Sequence, residues 1–328
     1  MPPLLRVSDL RTYYVGFRGT RVVKAVDGVS FTLEPGETFG LVGESGCGKT
    51  TTCHSIVRLL APSASIVSGS IELDGDDLVK KSQAEMRRIR GRRIATILQD
   101  PMASLDPLFS IGQQVAEPAY YHQSLRGQPL RQRVKELLTA VRIPSAERRM
   151  KDFPHQMSGG MRQRIVGAIA QAGGPRIIIA DEPTTNLDVT IQLQYLNLLK
   201  ELQRASGVAL IFVTHNLGIV AKMCDKVAVM YAGKIVEMQS VRGLFYRPRH
   251  PYTRALLDSI PKLGVKEPLY GIPGQPPDLS DLPAGCSFHP RCRQAMDRCR
   301  IEDPWRHDMG DDASVRCWLP IEEAAARG

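Results

Sequence analysis

The 328-residue chain has no long hydrophobic run. Its most apolar stretches, residues 177–180 and 208–213, have the length of strands, well short of the roughly 18 apolar residues that a membrane-crossing helix needs. The opening MPPLLRVSDL lacks the charged-then-apolar layout of an export signal. The expectation is therefore a cytosolic protein with reduced thiols that reaches any membrane through partners. Aromatic residues are scarce, at 6% with two Trp, and none interleaves the densest basic cluster, Arg87, Arg88, Arg90, Arg92 and Arg93. Single-stranded nucleic acid is held on such interleaved rings, so the cluster reads as a solvated helix face and no nucleic-acid partner is expected. Internal repeats and low-complexity tracts are also absent, which removes repeat arrays and disordered linkers.

What is present is enough apolar content, 43%, for a buried core. The net charge of +9 is uneven: residues 256–328 hold 9 Lys/Arg against 12 Asp/Glu, so the positive excess lies before them. Short strand patterns fill residues 4–42, with a Pro-Gly turn. Residues 110–150 are helical and polar, with apolar spacings of three and four across 130–141. Strand-like runs return at 176–180, 208–214 and 227–231, with a helical stretch at 189–205. That alternation predicts a largely parallel α/β sheet interrupted by a helical insert. Nine of the 23 prolines and four of the seven cysteines lie in 256–328, where short elements and little buried core are expected.

The most informative segment is GESGCGKTT, Gly43 to Thr51, between an apolar strand pattern and a helical one. In this setting G-x-x-x-x-G-K-[ST] is a phosphate-binding loop. Glycines at 43, 46 and 48 let the amides of Glu44, Ser45, Cys47 and their neighbours wrap a polyphosphate, aided by the positive end of the following helix. Lys49 reaches the terminal phosphates, and the Thr50 hydroxyl, followed by Thr51, suits Mg²⁺. Residues 176–180 form a β-branched run ending in Asp181-Glu182. Asp181 suits the metal side, and Glu182 the water that attacks the γ-phosphate. Ser158 is a credible N-cap for a helix over 161–172. Gly159 and Gly160 leave its amides bare, so this helix start is a second anion site.

Taken in order, these segments resemble ABC ATPases over residues 4 to about 240. The resemblance implies a P-loop NTPase with a RecA-like core, an antiparallel β subdomain and a helical insert at about 100–175. It also implies that Ser158–Gly160 closes over ATP held by another subunit, that Gln99 senses the γ-phosphate on the Mg²⁺ side, that Asn186–Asp188 is the D-loop, and that His215 is the switch histidine. An aromatic upstream of the loop should stack on adenine; Tyr13, Tyr14 and Phe17 compete, with Tyr14 and Phe17 retained as candidates. Met161 stands where Gln is commonest, and Cys47 where Ser is frequent, making Cys47 a candidate oxidation-sensitive spot.

Further stretches resemble the peptide importers, and their D-type ATPase subunit in particular: residues 99–107, His250-Pro251-Tyr252-Thr253, residues 272–277 and 285–292. This implies a second ATPase subunit forming a heterodimer, two transmembrane permeases, an extracytoplasmic peptide-binding protein, and a place at the cytoplasmic face of the inner or plasma membrane. The expected division is 1–255 for the nucleotide-binding domain and 256–328 for a C-terminal extension. Importers of nickel, glutathione or oligosaccharide remain alternatives, since the ATPase does not touch cargo. A non-transport ABC ATPase fits less well, because 50–176 contains no heptad run and the chain holds one cassette. Cys286, Cys292, Cys299 and Cys317 suit Zn²⁺ or an iron–sulfur cluster by their chemistry. The resemblance implies a [4Fe–4S] cluster there.

Overall fold

The strand Thr38–Val42 is buried along its whole length, as is Lys226–Tyr231, and the two pair in parallel with Val42 opposite Val229. Apolar runs without alternation behave this way when both faces of a strand are covered. The computed structural model describes residues 2–16, 19, 21–185, 187–261, 271–310 and 312–319. Phe17 and Asn186 lie outside them. The chain forms two compact units, residues 1–32, 39–79 and 214–328, and residues 33–38 and 80–213.

In the first unit, the two parallel strands continue through Lys234–Ser240, antiparallel to Lys226–Tyr231, to Ser314–Val315 and then His307–Asp308. A second, four-stranded sheet runs in the order Val22–Leu33, Leu5–Val15, Ala64–Leu73, Asp76–Asp77. Leu5, Val7, Leu10 and Thr12 of its second strand point inward. The helix Lys49–Val57 follows the strand Thr38–Val42.

The C-terminal extension departs from expectation in one respect. Its elements are short, such as the helix Asp297–Ile301, yet Phe288, Val315 and Trp318 are each at most 3% exposed. The extension buries core by borrowing it: the Phe288 ring lies 5.2 Å from that of Tyr231 and 5.3 Å from that of Tyr252.

In the second unit, Ile94–Ile97, Ile177–Asp181 and Ala209–Thr214 form parallel pairs with Ile177–Asp181 in the middle. Around them lie the helices Gln83–Ile89, Ile111–His122, Gly127–Ala140, Gly159–Ala172 and Val189–Ser206. Capping boxes at Ser82/Glu85 and Ser110/Gln113 start two of these. Val134, Leu137 and Leu138 bury the apolar stripe of Gly127–Ala140, whereas Arg87 and Arg88 lie exposed on Gln83–Ile89. Among the described residues no helix is long and apolar enough to cross a membrane.

Candidate functional site

The loop after Val42 is shaped by backbone that only glycine accepts without strain. Gly43 and Gly48 have φ of 154° and 107°, and a Cβ on either would overlap the carbonyl oxygens of Met230 and Ala25. Gly48 is the N-cap of Lys49–Val57 and supplies no side-chain acceptor, so the first helical amides are left for a ligand. Lys49 is buried, and its ammonium donates to the carbonyls of Gly43 at 2.8 Å and Glu44 at 3.0 Å, curling the loop around the cation. Ser45, Gly46 and Thr50 are exposed at the rim. Cys47 is buried, and burial pushes its thiol up against the opposing pull of Lys49. A protonated, inaccessible thiol is inert, which overturns the expectation of an oxidation-sensitive spot.

Glu44 is gripped from both sides. Its carboxylate accepts two bonds from the Arg291 guanidinium, at 2.7 and 3.0 Å, and its N–H donates to Tyr252 Oη at 3.1 Å. Of the candidate aromatics, Tyr13 donates to Asp27 at 2.8 Å, and burial together with that bond pushes its hydroxyl up to about 12. Tyr14 is half-buried with its hydroxyl 3.3 Å from Thr51 Oγ1, next to the loop's helix. His215, in the same unit, is exposed just beyond Ala209–Thr214. Asn216 then caps the helix Leu217–Met223 by accepting from Gly218 and Ile219.

The second unit brings Gln99 and Glu182 together. Asp181 ends its strand 8% exposed, and Glu182 follows in a left-handed conformation, φ 45°. The Glu182 N–H donates to Val213 O at 3.0 Å. Its Oε2 accepts from Thr185 Oγ1 at 3.0 Å and Gln99 Nε2 at 3.3 Å. A carboxylate so oriented can accept a proton or align a water. A cleft of about 200 Å³ joins Gln99 and Pro101 to Gly159, Arg162 and Leu187. Ser158 caps Gly159–Ala172 by accepting from Met161 N at 3.4 Å, and Ser158 and Gly159 are both exposed. A Cβ on Gly159 would meet nothing within 4 Å, whereas one on Gly160 would press on Ile191.

The cysteine expectation meets a different arrangement. All four thiols are free, and Cys286 N–H donates to Cys299 O at 2.8 Å. Yet among the described residues no group of three or more His, Cys, Asp or Glu is placed to hold a metal ion. The expected ligand set is thus not assembled. Instead, burial pushes the Cys286 thiol up to about 11 and Cys317 up to about 12, with smaller contributions from the neighbouring thiols, so both are held protonated at neutral pH.

Residues 26–185 match the ABC transporter family, and residues 236–299 match the oligopeptide/dipeptide transporter C-terminal region. The dipeptide transport ATP-binding protein DppD of Bacillus subtilis is 47% identical over 326 residues, 99% of this chain and 97% of that protein. The chain belongs to the ABC transporter ATP-binding proteins. The oligopeptide transport ATP-binding protein OppD of Haemophilus influenzae is 45% identical, covering 98% of this chain and 99% of that one. Among solved structures, the dimeric post-hydrolysis state of the ATP-binding cassette MJ0796 bound to ADP and Pi superposes with a TM-score of 0.64 at 26% identity, over 73% of this chain and 99% of that one. As an ABC ATPase, the protein hydrolyses ATP to drive transport.

The two residues that grip Glu44, Tyr252 and Arg291, both fall inside the matched C-terminal region. Sequence reasoning used their segments only as marks of resemblance. No local pattern announces an arginine that will meet a loop 247 positions earlier.

Proposed function

We propose that this ABC ATPase is the motor subunit of an importer of oligopeptides or dipeptides. The observation that carries the reading is likeness along nearly the whole chain to ATP-binding proteins named for dipeptide and oligopeptide transport, C-terminal region included. In this reading the loop Gly43–Thr51 cradles the ATP phosphates, with Lys49 as the counter-cation. Glu182 aligns the attacking water and takes its proton, and His215 contacts the γ-phosphate. Tyr14, beside Thr51, is the adenine platform that the geometry favours.

Mg²⁺ prefers hard oxygen donors, and Thr50, Gln99 and Asp181 offer a hydroxyl, an amide oxygen and a carboxylate. The ion would neutralise charge on the β- and γ-phosphates. The bare start of the helix Gly159–Ala172, with Ser158 at its cap, has the exposure needed to meet nucleotide held by a second ATPase subunit. Two transmembrane permeases and an extracytoplasmic peptide-binding protein complete the assembly, with this subunit at the cytoplasmic face of the membrane. The nucleotide-binding domain spans 1–255 and the extension 256–328. A [4Fe–4S] cluster, or Zn²⁺, at Cys286, Cys292, Cys299 and Cys317 belongs to the proposal as a state in which the thiols are deprotonated and drawn together. It is supported by four free thiols that share one neighbourhood.

Copurification with the co-expressed membrane subunits, followed by reconstitution with the binding protein, tests the function. Di- and oligopeptides should stimulate ATP hydrolysis. Stimulation by nickel, glutathione or oligosaccharide and not by peptides would replace the cargo assignment, and full substrate-stimulated turnover by the isolated chain would remove the two-subunit motor.

A further inference from the structure

We propose that Arg291 is a positioning residue for ATP: by holding the Glu44 carboxylate, it makes the C-terminal extension part of the phosphate-binding loop. The inference rests on the reading of Gly43–Thr51 as that loop and goes beyond it.

Glu44 is the second residue of the loop, an anion placed where a polyanion is to bind. Left free, its carboxylate could swing toward the phosphates and repel them, or pull on Lys49, whose ammonium already donates to the Glu44 carbonyl. Arg291 prevents both. Its side chain is 4% exposed against 28% for Glu44, and it meets both carboxylate oxygens in a parallel fork. Planar bidentate geometry of this kind fixes direction as well as charge. The guanidinium is itself immobilised, donating through Nε to Pro273 O at 2.9 Å and through a terminal nitrogen to Tyr231 Oη at 3.4 Å. Tyr252 holds the other side of the same residue by accepting the Glu44 N–H. Tyr252 and Arg291 thus hold Glu44 directly, while Tyr231 and Pro273 hold Arg291 in place. Arg291 sits in the tight turn His289–Arg291, closed by bonds from Arg291 N to Phe288 O and from Cys292 N to His289 O. Its backbone position is thus set by a turn of the extension.

The test is the dissociation constant for ATP with Mg²⁺, measured by nucleotide titration on the full chain, with melting temperature followed in parallel. Arg291→Lys keeps the charge and loses the fork; its Kd should rise about tenfold, equivalent to about 1.4 kcal/mol. The pair Arg291→Gln with Glu44→Gln removes both charges and should return Kd to within about threefold of the parent, because no free carboxylate then faces the phosphates. A residue that merely supported the fold would lower the melting temperature of Arg291→Lys while the folded protein kept its Kd, and that result overturns the proposal. If Arg291→Lys does not fold, Arg291→Gln alone, set against the Arg291→Gln/Glu44→Gln pair, decides: a Kd no higher in the single variant overturns the proposal and a raised one supports it. Lys49→Ala separates the two readings. If it too binds ATP normally, the loop is not the nucleotide site and the proposal falls with it. If only Lys49→Ala weakens binding, the loop stands and the role of Arg291 is refuted.

Discussion

Replacing His250, whose ring lies 5.7 Å from that of Phe288 in the C-terminal extension, with Asn should flatten the acid sensitivity of that extension's packing. His250 is 1% exposed at the N-cap of the helix Pro251–Asp258, where its Nδ1 accepts the Tyr252 N–H at 3.0 Å. Burial pushes the imidazole down to about 3, with nearby Arg254 adding to the effect. The fold thus holds this ring neutral, whereas in the unfolded chain it titrates near its ordinary value of about 6.5. Between those values the unfolded state binds more protons. The contribution to stability is therefore complete above about pH 6.5 and shrinks as pH falls toward about 3. At pH 5, about 1.5 units below the unfolded value, the loss comes to about 2 kcal/mol at roughly 1.36 kcal/mol per unit. Glu237, which accepts the His250 N–H, is pushed up by burial and so runs in the opposite direction. It is common to both proteins, and their difference isolates His250. Asn keeps a side-chain acceptor at the cap and does not titrate. Trp305 and Trp318 are the only two tryptophans in the chain and both lie in the extension, so urea unfolding followed by their fluorescence reads this module. Equal losses for both proteins between pH 7.5 and 5 would refute the buried, neutral imidazole.

Glu182→Gln should retain ATP binding and lose about 100-fold or more in turnover, since only the proton-accepting group is removed; unchanged steady-state hydrolysis would move the working site to another subunit. Gly48→Ala meets both a φ of 107° and the Ala25 carbonyl, and should cost about 2 kcal/mol or more along with nucleotide binding. A denaturation midpoint within error of the parent would show that the loop relaxes freely. Cys292→Ser should abolish any iron or zinc that copurifies anaerobically, read by elemental analysis and by absorption near 400 nm. Protein that is metal-free before the substitution would remove the cluster from the proposal.

Much of the architecture is legible because it is decided by neighbours in sequence. The runs ending at Asp181 and Thr214 are apolar and unbroken up to their last residue, and Ser158 announces its helix because its acceptor lies three residues before the Met161 amide. The helix nevertheless begins at Gly159, earlier than the apolar pattern from 161 indicates, because glycines carry no pattern to read. The hydroxyl partners of Tyr13 and Tyr14, Asp27 and Thr51, are ones that no spacing reveals. The strands His307–Asp308 and Ser314–Val315 are two residues each, too short for alternation to register. The cysteines show the opposite failure. Their thiol chemistry suits ligands, but among the described residues no metal-holding group is brought together.

The left-handed backbone at Glu182 has a consequence for stability engineering. A non-glycine residue at φ 45° sits in a conformation costing on the order of 1 kcal/mol. That cost is met by the bond to the Val213 carbonyl and by Thr185 and Gln99 on the carboxylate. The aim of the carboxylate is thus imposed by surrounding groups, and it relaxes if they are cut. Asn or Gly, which tolerate this region, should make the protein more stable than Ala at the same position while leaving it catalytically silent. A screen that selected this chain for thermal stability alone would accordingly drift away from glutamate at residue 182, and a heat-resistant variant of the enzyme should be checked there first for lost turnover.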